Sequence, residues 1–529
     1  MTAPRGRAAA IALAQASLLL SAAFLLSRIL GYVRVAVLAD RFGIGPELDA
    51  FYAAFRLPDL VYQLVAAGAL TSGMVPVLAG LVATGQDARA RRVVTTLGLI
   101  VTLTVGVAAL GAWIAAPLLV PAITPGFSGA QLAETIELTR IMLIGPVLLS
   151  AGSVATSWMN ARDSFGGGAL APAVYNVGII AGALLLAPGM GVAGAAWGVV
   201  AGSVLFLLAA WGVALLRGAL PARRAARDPE VGRAIGLMLP RTLGLASSQL
   251  ALTVLVAVAS GLGAGAVAAL ATAQILLQLP LGLIGIPLGI VLLPSLAREV
   301  AIGNLGAYRD LLVRGLRALL LAMSGIAAVG AVLAVPVVAL LFPGTARDGS
   351  AELVGGTLRL FLLGLPAHAL IAVLARACYA RSDTWTPVTF AVVAVVIDIA
   401  LGIALAGPLG VAGLALAVAI GAWVEAAGLA IVLRARAGLP LAGILAPVPA
   451  VLAASAAAAA TAWLLLGLLA GPDPDWPRLA LATGVAGGAA LAVHVAVAWL
   501  LRVPEVAVVL GIAWRRVPAR LRARAGSAR

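Results

Sequence analysis

The chain has little of what a soluble catalyst is built from. Only 10% of its 529 residues are charged, against about 25% in ordinary soluble domains. A single cysteine, Cys378, excludes an internal disulfide and a cysteine-held metal cluster. Lysine is absent, so all 35 basic residues are arginine. The two histidines, His368 and His494, have no metal-ligand spacing and read as interhelical hydrogen-bonding groups. What remains is apolar: 63% of the residues are hydrophobic and mean hydropathy is +1.12. That balance excludes a soluble enzyme, a disordered chain and a coiled coil. It implies an all-α polytopic membrane protein, because lipid offers no partner to unpaired backbone groups.

A helix needs about 20 apolar residues to cross ~30 Å of hydrocarbon. Cutting the chain at charged, proline and glycine clusters predicts about fourteen spans. They lie near 12–40, 48–80, 93–118, 136–158, 168–188, 192–216, 234–260, 264–297, 314–342, 353–380, 387–407, 409–433, 442–470 and 478–502. With the N-terminus inside, 26 arginines fall in inside segments and 5 in outside segments. Positive charge is retained on the cytoplasmic face, so both termini are expected there. The net charge of +15 then reflects cytoplasmic loops and a tail anchored at lipid headgroups, not nucleic acid.

The chain repeats itself. Gly191-Val-Ala-Gly194 recurs as Gly410-Val-Ala-Gly413, Gly202 as Gly421, Arg140 as Arg359 and Gly145 as Gly364, all at one offset of 219 residues. Each copy holds six spans, an even number, so both keep one orientation. Parallel repeats with a site between lobes are a transporter architecture. The expected division is a first lobe at 1–217, a linker at 218–233, a second lobe at 234–436, two further spans at 437–502 and a basic tail at 503–529.

Charges within spans mark candidate sites, since a buried cation costs several kcal/mol. Residues 27–59 hold Arg28, Arg34, Arg41 and Arg56 against Asp40, Glu47, Asp49 and Asp59. Guanidinium suits phosphate through its fixed fork of donors, which points to a phosphate or diphosphate head. The plainer alternative is that these arginines pair with the nearby acids and lock spans 1 and 2 together. Arg241 in span 7 and Asp398 in span 11 lie at depths that would let them pair. Alternatively, Asp398 binds a coupling cation or proton. Glu425, Asn176, Gln249, Gln274 and Gln278 are polar lumen or interhelical candidates.

The stretch Ser27-Arg28-Ile-Leu-Gly31-Tyr-Val-Arg34, then Asp49-Ala-Phe51-Tyr-Ala-Ala-Phe55-Arg56-Leu57-Pro58, resembles the start of the MurJ (MviN) lipid II flippases. So do Thr124-Pro125-Gly126-Phe127, Leu292-Leu293-Pro294-Ser295-Leu296 and Tyr379-Ala-Arg381-Ser-Asp383-Thr384-Trp-Thr386-Pro387. These matches run in order from span 1 to span 12. The resemblance implies the multidrug/oligosaccharidyl-lipid/polysaccharide exporter fold, a bacterial cytoplasmic-membrane location and no enzymatic activity. It further implies export of undecaprenyl-diphosphate-linked peptidoglycan precursor by alternating access, for cell-wall synthesis. Arg28 and Arg34, with Ser27 and Asp49 beside them, would line the cavity, and Arg56 and Arg241 join them as candidates. Partners would be the lipid-linked precursor, membrane lipids and cell-wall synthesis proteins, with no nucleic acid. No cofactor is expected, and coupling to membrane potential, Na+ or H+ stays open. The chain departs from the family pattern at Tyr62, Gln63 and Ala67 in span 2, at Ile275 in span 8 and at Ala394 in span 11. Competing functions are transport of another polyprenyl-linked saccharide, a drug/cation antiporter, a membrane glycosyltransferase or ligase, and a transport-dead cell-wall scaffold.

Overall fold

The computed structural model describes residues 25–64, 73–162, 170–222, 225, 227–471 and 474–506, with the side chains of 239–248 and 346–348 excepted. Among the described residues there is helix and no strand. The helices are α1 (25–42), α2 (Pro46–Ala54), α3 (Arg56–Tyr62), α4 (Val75–Ala83), α5 (Asp87–Ile123), α6 (Gly129–Met142), α7 (Ile144–Asn160), α8 (Ala171–Ala181) and α9 (Val192–Leu216). There follow α10 (Pro229–Ser260), α11 (Ala266–Pro280), α12 (Ile286–Ala301), α13 (Leu305–Leu341), α14 (Pro343–Asp348), α15 (Ala351–Leu363), α16 (Leu365–Ala380), α17 (Trp385–Ala437), α18 (Val448–Ala470) and α19 (Trp476–Leu500).

Among the described residues, nine helical stretches are long and apolar enough to cross a bilayer, some joining consecutive helices such as α6 with α7 and α11 with α12, or ten with the bent pair α15–α16 counted as one span. Parts of the fourteen expected spans, in 1–24, 65–72 and 163–169, lie outside the described residues, as does the basic tail from 507. Proline stands in the first turn of α2, α4, α8, α10, α12, α16, α18 and α19, where its missing N–H has no intrahelical acceptor to lose. α5 shows why such helices suit lipid. Leu103, Val107, Leu110, Ile114 and Leu118 are exposed, while Val101, Val105, Ala109, Ala112 and Ala116 are buried. Both faces are apolar, and the smaller side chains face the neighbouring helices, letting backbones approach.

The 219-residue repeat has a geometric counterpart. Gly191 and Gly410 share a backbone conformation that strongly favours glycine, φ 58°/ψ −145° and φ 58°/ψ −143°. At Gly410 it breaks the long α17 into two helical segments. Gly194 packs against the backbone of Leu186 and Ala187, and Gly413 against the carbonyl of Leu405. Arg140 donates from Nε to the Trp113 carbonyl at 3.3 Å, and Arg359 to the Ala331 carbonyl at 3.0 Å. The shared spacing thus encodes shared helix contacts.

Packing separates two compact units. The first runs to Ala271 and takes in Phe342–Ser350; the second holds Thr272–Leu341 and the chain from Ala351. The boundary between units therefore falls inside α11, beyond the sequence boundary between the two copies. In the first unit, Met74, Leu97, Trp158, Met159 and Phe206 belong to one buried core. The Trp158 indole N–H reaches the Ala219 carbonyl at 3.1 Å. In the second unit α18 and α19 pack on each other and on α13. Ala458, Ala462, Ala486 and Ala490 form the seam with Val329 and Leu333. His494 Nε2 lies 2.9 Å from the Leu321 carbonyl oxygen, in the space left by the missing side chain of Gly325. His494 is thus a buried helix-to-helix contact.

Candidate functional site

In the first unit, α1 carries Ser27, Arg28 and Arg34. Arg28 is exposed and hydrogen-bonds Tyr32, one turn along. The Ser27 carbonyl accepts from Asn176 Nδ2 at 3.4 Å, and the same amide donates to Pro172 at 3.0 Å. Asn176 thus ties α1 to α8. Arg34 is half-buried and lines a cavity of about 170 Å³ with Asp59, Tyr62, Gln63 and Tyr175. Among the described residues no carboxylate pairs with its guanidinium.

Arg56 and Asp59 flank the Leu57-Pro58 step. Phe55 joins α2 to α3, its N–H bonded to the Phe51 carbonyl at 3.1 Å. The two charged groups form an ion pair at 3.8 Å, and Asp59 also accepts from Gln63. The Arg56 charge is therefore largely offset within α3, by a pair internal to one helix and not by the lock between spans 1 and 2 that the plainer reading of this charge cluster expects. Arg34 departs from that reading. Tyr62 shares a hydrogen bond with Ser153 on α7 at 2.8 Å, which fixes one wall of the cavity. Sequence reasoning passed over Asp59, Tyr62 and Tyr175 as site residues. For Asp59 and Tyr62 the signal was proximity to Pro58, where a proline interrupts the backbone ladder; Tyr175 carries no such mark in the sequence.

Asp49 does not line the cavity beside Arg34. It is fully buried. Its carboxylate accepts from the Gly265 N–H at 2.6 Å and the Ala268 N–H at 2.7 Å, capping the start of α11. Those N–H groups have no intrahelical acceptor and carry the positive end of the helix dipole, so an aspartate there is stabilising. Gly265 adopts φ +83°, and a Cβ on it would lie 2.5 Å from the Ile44 carbonyl oxygen. Nearby helix ends are joined by a bond from the Gly126 N–H to Ser260 Oγ at 3.0 Å and by Gly344 packed on Asp40. These contacts tie helix ends of the first unit to one another.

The backbone of Arg241 belongs to α10, but its side chain lies outside the described residues, and so does the anticipated pair with Asp398. In the second unit Asp398 on α17 is half-buried. Its carboxylate lies against Gly421, where a Cβ would overlap it. Oδ1 has no partner among the described residues, and Glu425, one turn beyond Gly421, acts on it electrostatically. Two acids therefore lie within electrostatic reach of each other in a membrane segment, a donor set that suits a cation or a proton.

The arginine-bearing loops are held by exposed or half-buried pairs. Asp228 caps α10 through Glu230 N and takes two bonds from Arg89, at 2.7 and 2.8 Å. Those bonds hold its carboxyl below the usual aspartate value. Asp383 accepts from the Thr386 hydroxyl at 2.7 Å, the Thr386 N–H at 3.0 Å and Arg436 at 2.8 Å. It too is held low, first by the Thr386 side chain. Arg317 pairs with the buried Glu505 at 3.4 Å and donates to the Gly443 carbonyl.

The sequence profile of the family described as "Lipid II flippase MurJ" matches residues 38–471. A "Lipid II flippase MurJ" from Burkholderia cenocepacia is 33% identical over 417 residues, 76% of this chain and 80% of that protein. A "Probable lipid II flippase MurJ" from Rhizobium meliloti is 31% identical over 403 residues, 73% of this chain and 74% of that protein. Among solved structures, a "Lipid II flippase MurJ, inward closed conformation" superposes with TM-score 0.72 at 21% identity, covering 90% of this chain and 98% of that one. An inward-facing multidrug-resistance transporter of the MATE family and MOP superfamily superposes at 0.67 with 17% identity, covering 78% and 94%. These structural likenesses carry the fold.

Proposed function

The chain belongs to the MurJ family of lipid II flippases, and from that premise we propose how its own residues handle the cargo. Lipid II is carried across the membrane by alternating access, with the diphosphate head held by Arg34. The observation that carries this reading is the half-buried Arg34 on the cavity wall, with no carboxylate partner among the described residues. A guanidinium in such a place requires an anion to balance it, and its fork of donors fits phosphate oxygens two at a time. Arg28 is exposed and, with the N-terminus inside, lies nearer the cytoplasmic face than Arg34, so it meets the head first. Arg56, balanced by Asp59, shapes α3 more than it binds. Asp49 supports closure at one end of the first unit by holding α11. Asp398, with Glu425, takes the coupling cation or proton in the second unit. Both termini lie in the cytoplasm, on the side that collects 26 of the arginines.

Leaflet-resolved labelling of lipid II tests the reading. Bacteria depleted of their own flippase and expressing this chain should regain outer-leaflet lipid II. The Arg34→Ala variant, at equal membrane level, should lose that rescue. Full rescue by Arg34→Ala would remove the site assignment.

A further inference from the structure

We propose that the first-unit cavity beside Arg34 is a subsite for a single sugar ring, the one attached directly to the diphosphate. The inference rests on the flippase reading and adds to it what the head presents beyond its phosphates. Size comes first. The cavity measures about 170 Å³, and a cavity of about 150 Å³ is enough to admit a benzene ring. One six-membered ring fits within it; a disaccharide or a peptide stem would extend beyond it.

Charge comes second. A diphosphate enclosed here would need several converging cations, yet among the described lining residues only Arg34 carries a positive charge and Asp59 carries a negative one. Asp59 would repel a phosphate pushed further in. The same carboxylate accepts readily from a hydroxyl. The Gln63 amide, which donates to Asp59, keeps a second N–H and a carbonyl oxygen for a ligand. The Tyr62 hydroxyl is committed to Ser153 at 2.8 Å, which orients its ring as a wall. Tyr175 and Phe55 add further aromatic surface, and aromatic faces are electron-rich and attract the polarised C–H edge of a pyranose. Largely apolar walls, with one carboxylate and one amide among them, suit the C–H faces of a single neutral sugar ring and a few of its hydroxyls. A single guanidinium at the same cavity places the phosphate next to the ring.

The test uses the full chain in lipid nanodiscs and measures equilibrium binding of two probes. One is a polyprenyl diphosphate; the other is the same lipid bearing one N-acetylhexosamine. The wild type should prefer the sugar-bearing lipid by about tenfold, the scale of one or two net hydrogen bonds. Gln63→Ala should reduce that preference several-fold. Leu149→Trp, which fills the cavity from an apolar position and leaves every charge in place, should abolish it. Arg34→Ala should weaken both probes alike. A wild type without preference, or a preference that survives both Gln63→Ala and Leu149→Trp, would overturn the subsite. Unchanged binding of both probes to Arg34→Ala would overturn the phosphate assignment alone, leaving the sugar preference to decide the subsite. Binding of neither probe to the wild type would overturn both.

Discussion

At the scale of single residues, the same residue type does opposite work according to what surrounds it. Arg56 has Asp59 at 3.8 Å, while Arg34 has no acid partner among the described residues; only the second has charge to spare for an anion. Asp49 and Asp398 differ in the same way. Asp49 spends both oxygens on backbone N–H groups, whereas Asp398 keeps one unmet among the described residues. Asp49→Asn keeps the shape, removes the charge and turns a donor toward backbone donors. A charge-assisted bond is worth about 1.5–3 kcal/mol, so thermal unfolding in detergent should fall by several degrees. An unchanged melting temperature would show the cap to be dispensable. Asp383 supplies a pH test. Its folded value is depressed, so its contribution is complete above the ordinary aspartate value of 3.8 and fades as pH falls through the depressed one. Asp383→Asn should lower the melting temperature near neutrality, by a small amount because the Arg436 partner is largely exposed. The gap from wild type should close in acid. A gap constant down to the depressed value would contradict the assignment.

At the scale of elements, glycines decide where helices break and how closely they pack. Gly191 and Gly410 occupy matching positive-φ conformations, and an L-residue there costs about 1–3 kcal/mol. Gly191→Ala and Gly410→Ala should therefore each destabilise, by similar amounts, in thermal unfolding. A silent Gly410→Ala would deny that the break in α17 is enforced there. Gly421 has a second task, since a methyl group on it would overlap the Asp398 carboxylate. Gly421→Ala should impair transport as strongly as Asp398→Asn in the lipid II labelling assay, at equal membrane level. Normal transport by Gly421→Ala would remove the need for that carboxylate position. The helices themselves were legible in the sequence because apolar length is a local property. The cavity was not. It is built from α1, α3, α6, α7, α8 and α9, and residues as far apart as Asp59 and Tyr175 carry no mark of meeting.

At the scale of the whole molecule, the arginine distribution fixes the expected orientation. Cys378 is buried, so replacing it by alanine gives a background for single-cysteine labelling with little loss at the surface. A cysteine at Gly85 or Gly218 should react with a membrane-impermeant maleimide only in opened cells, and one at Gly129 or Asp475 in intact cells. The reverse pattern would invert the assignment of both termini.

Composition and period alone determined that this chain is helical, membrane-spanning and internally repeated, because each of those follows from local hydropathy or from a fixed spacing. The motifs around Arg34, Arg56 and Tyr379 carried the family. Which arginine stays uncompensated, where Asp49 directs its oxygens and how α10 joins the first unit were decided only by the tertiary structure. Such outcomes depend on distances between residues far apart in the chain, and a charge's worth in a membrane is set by the nearest group that can neutralise it.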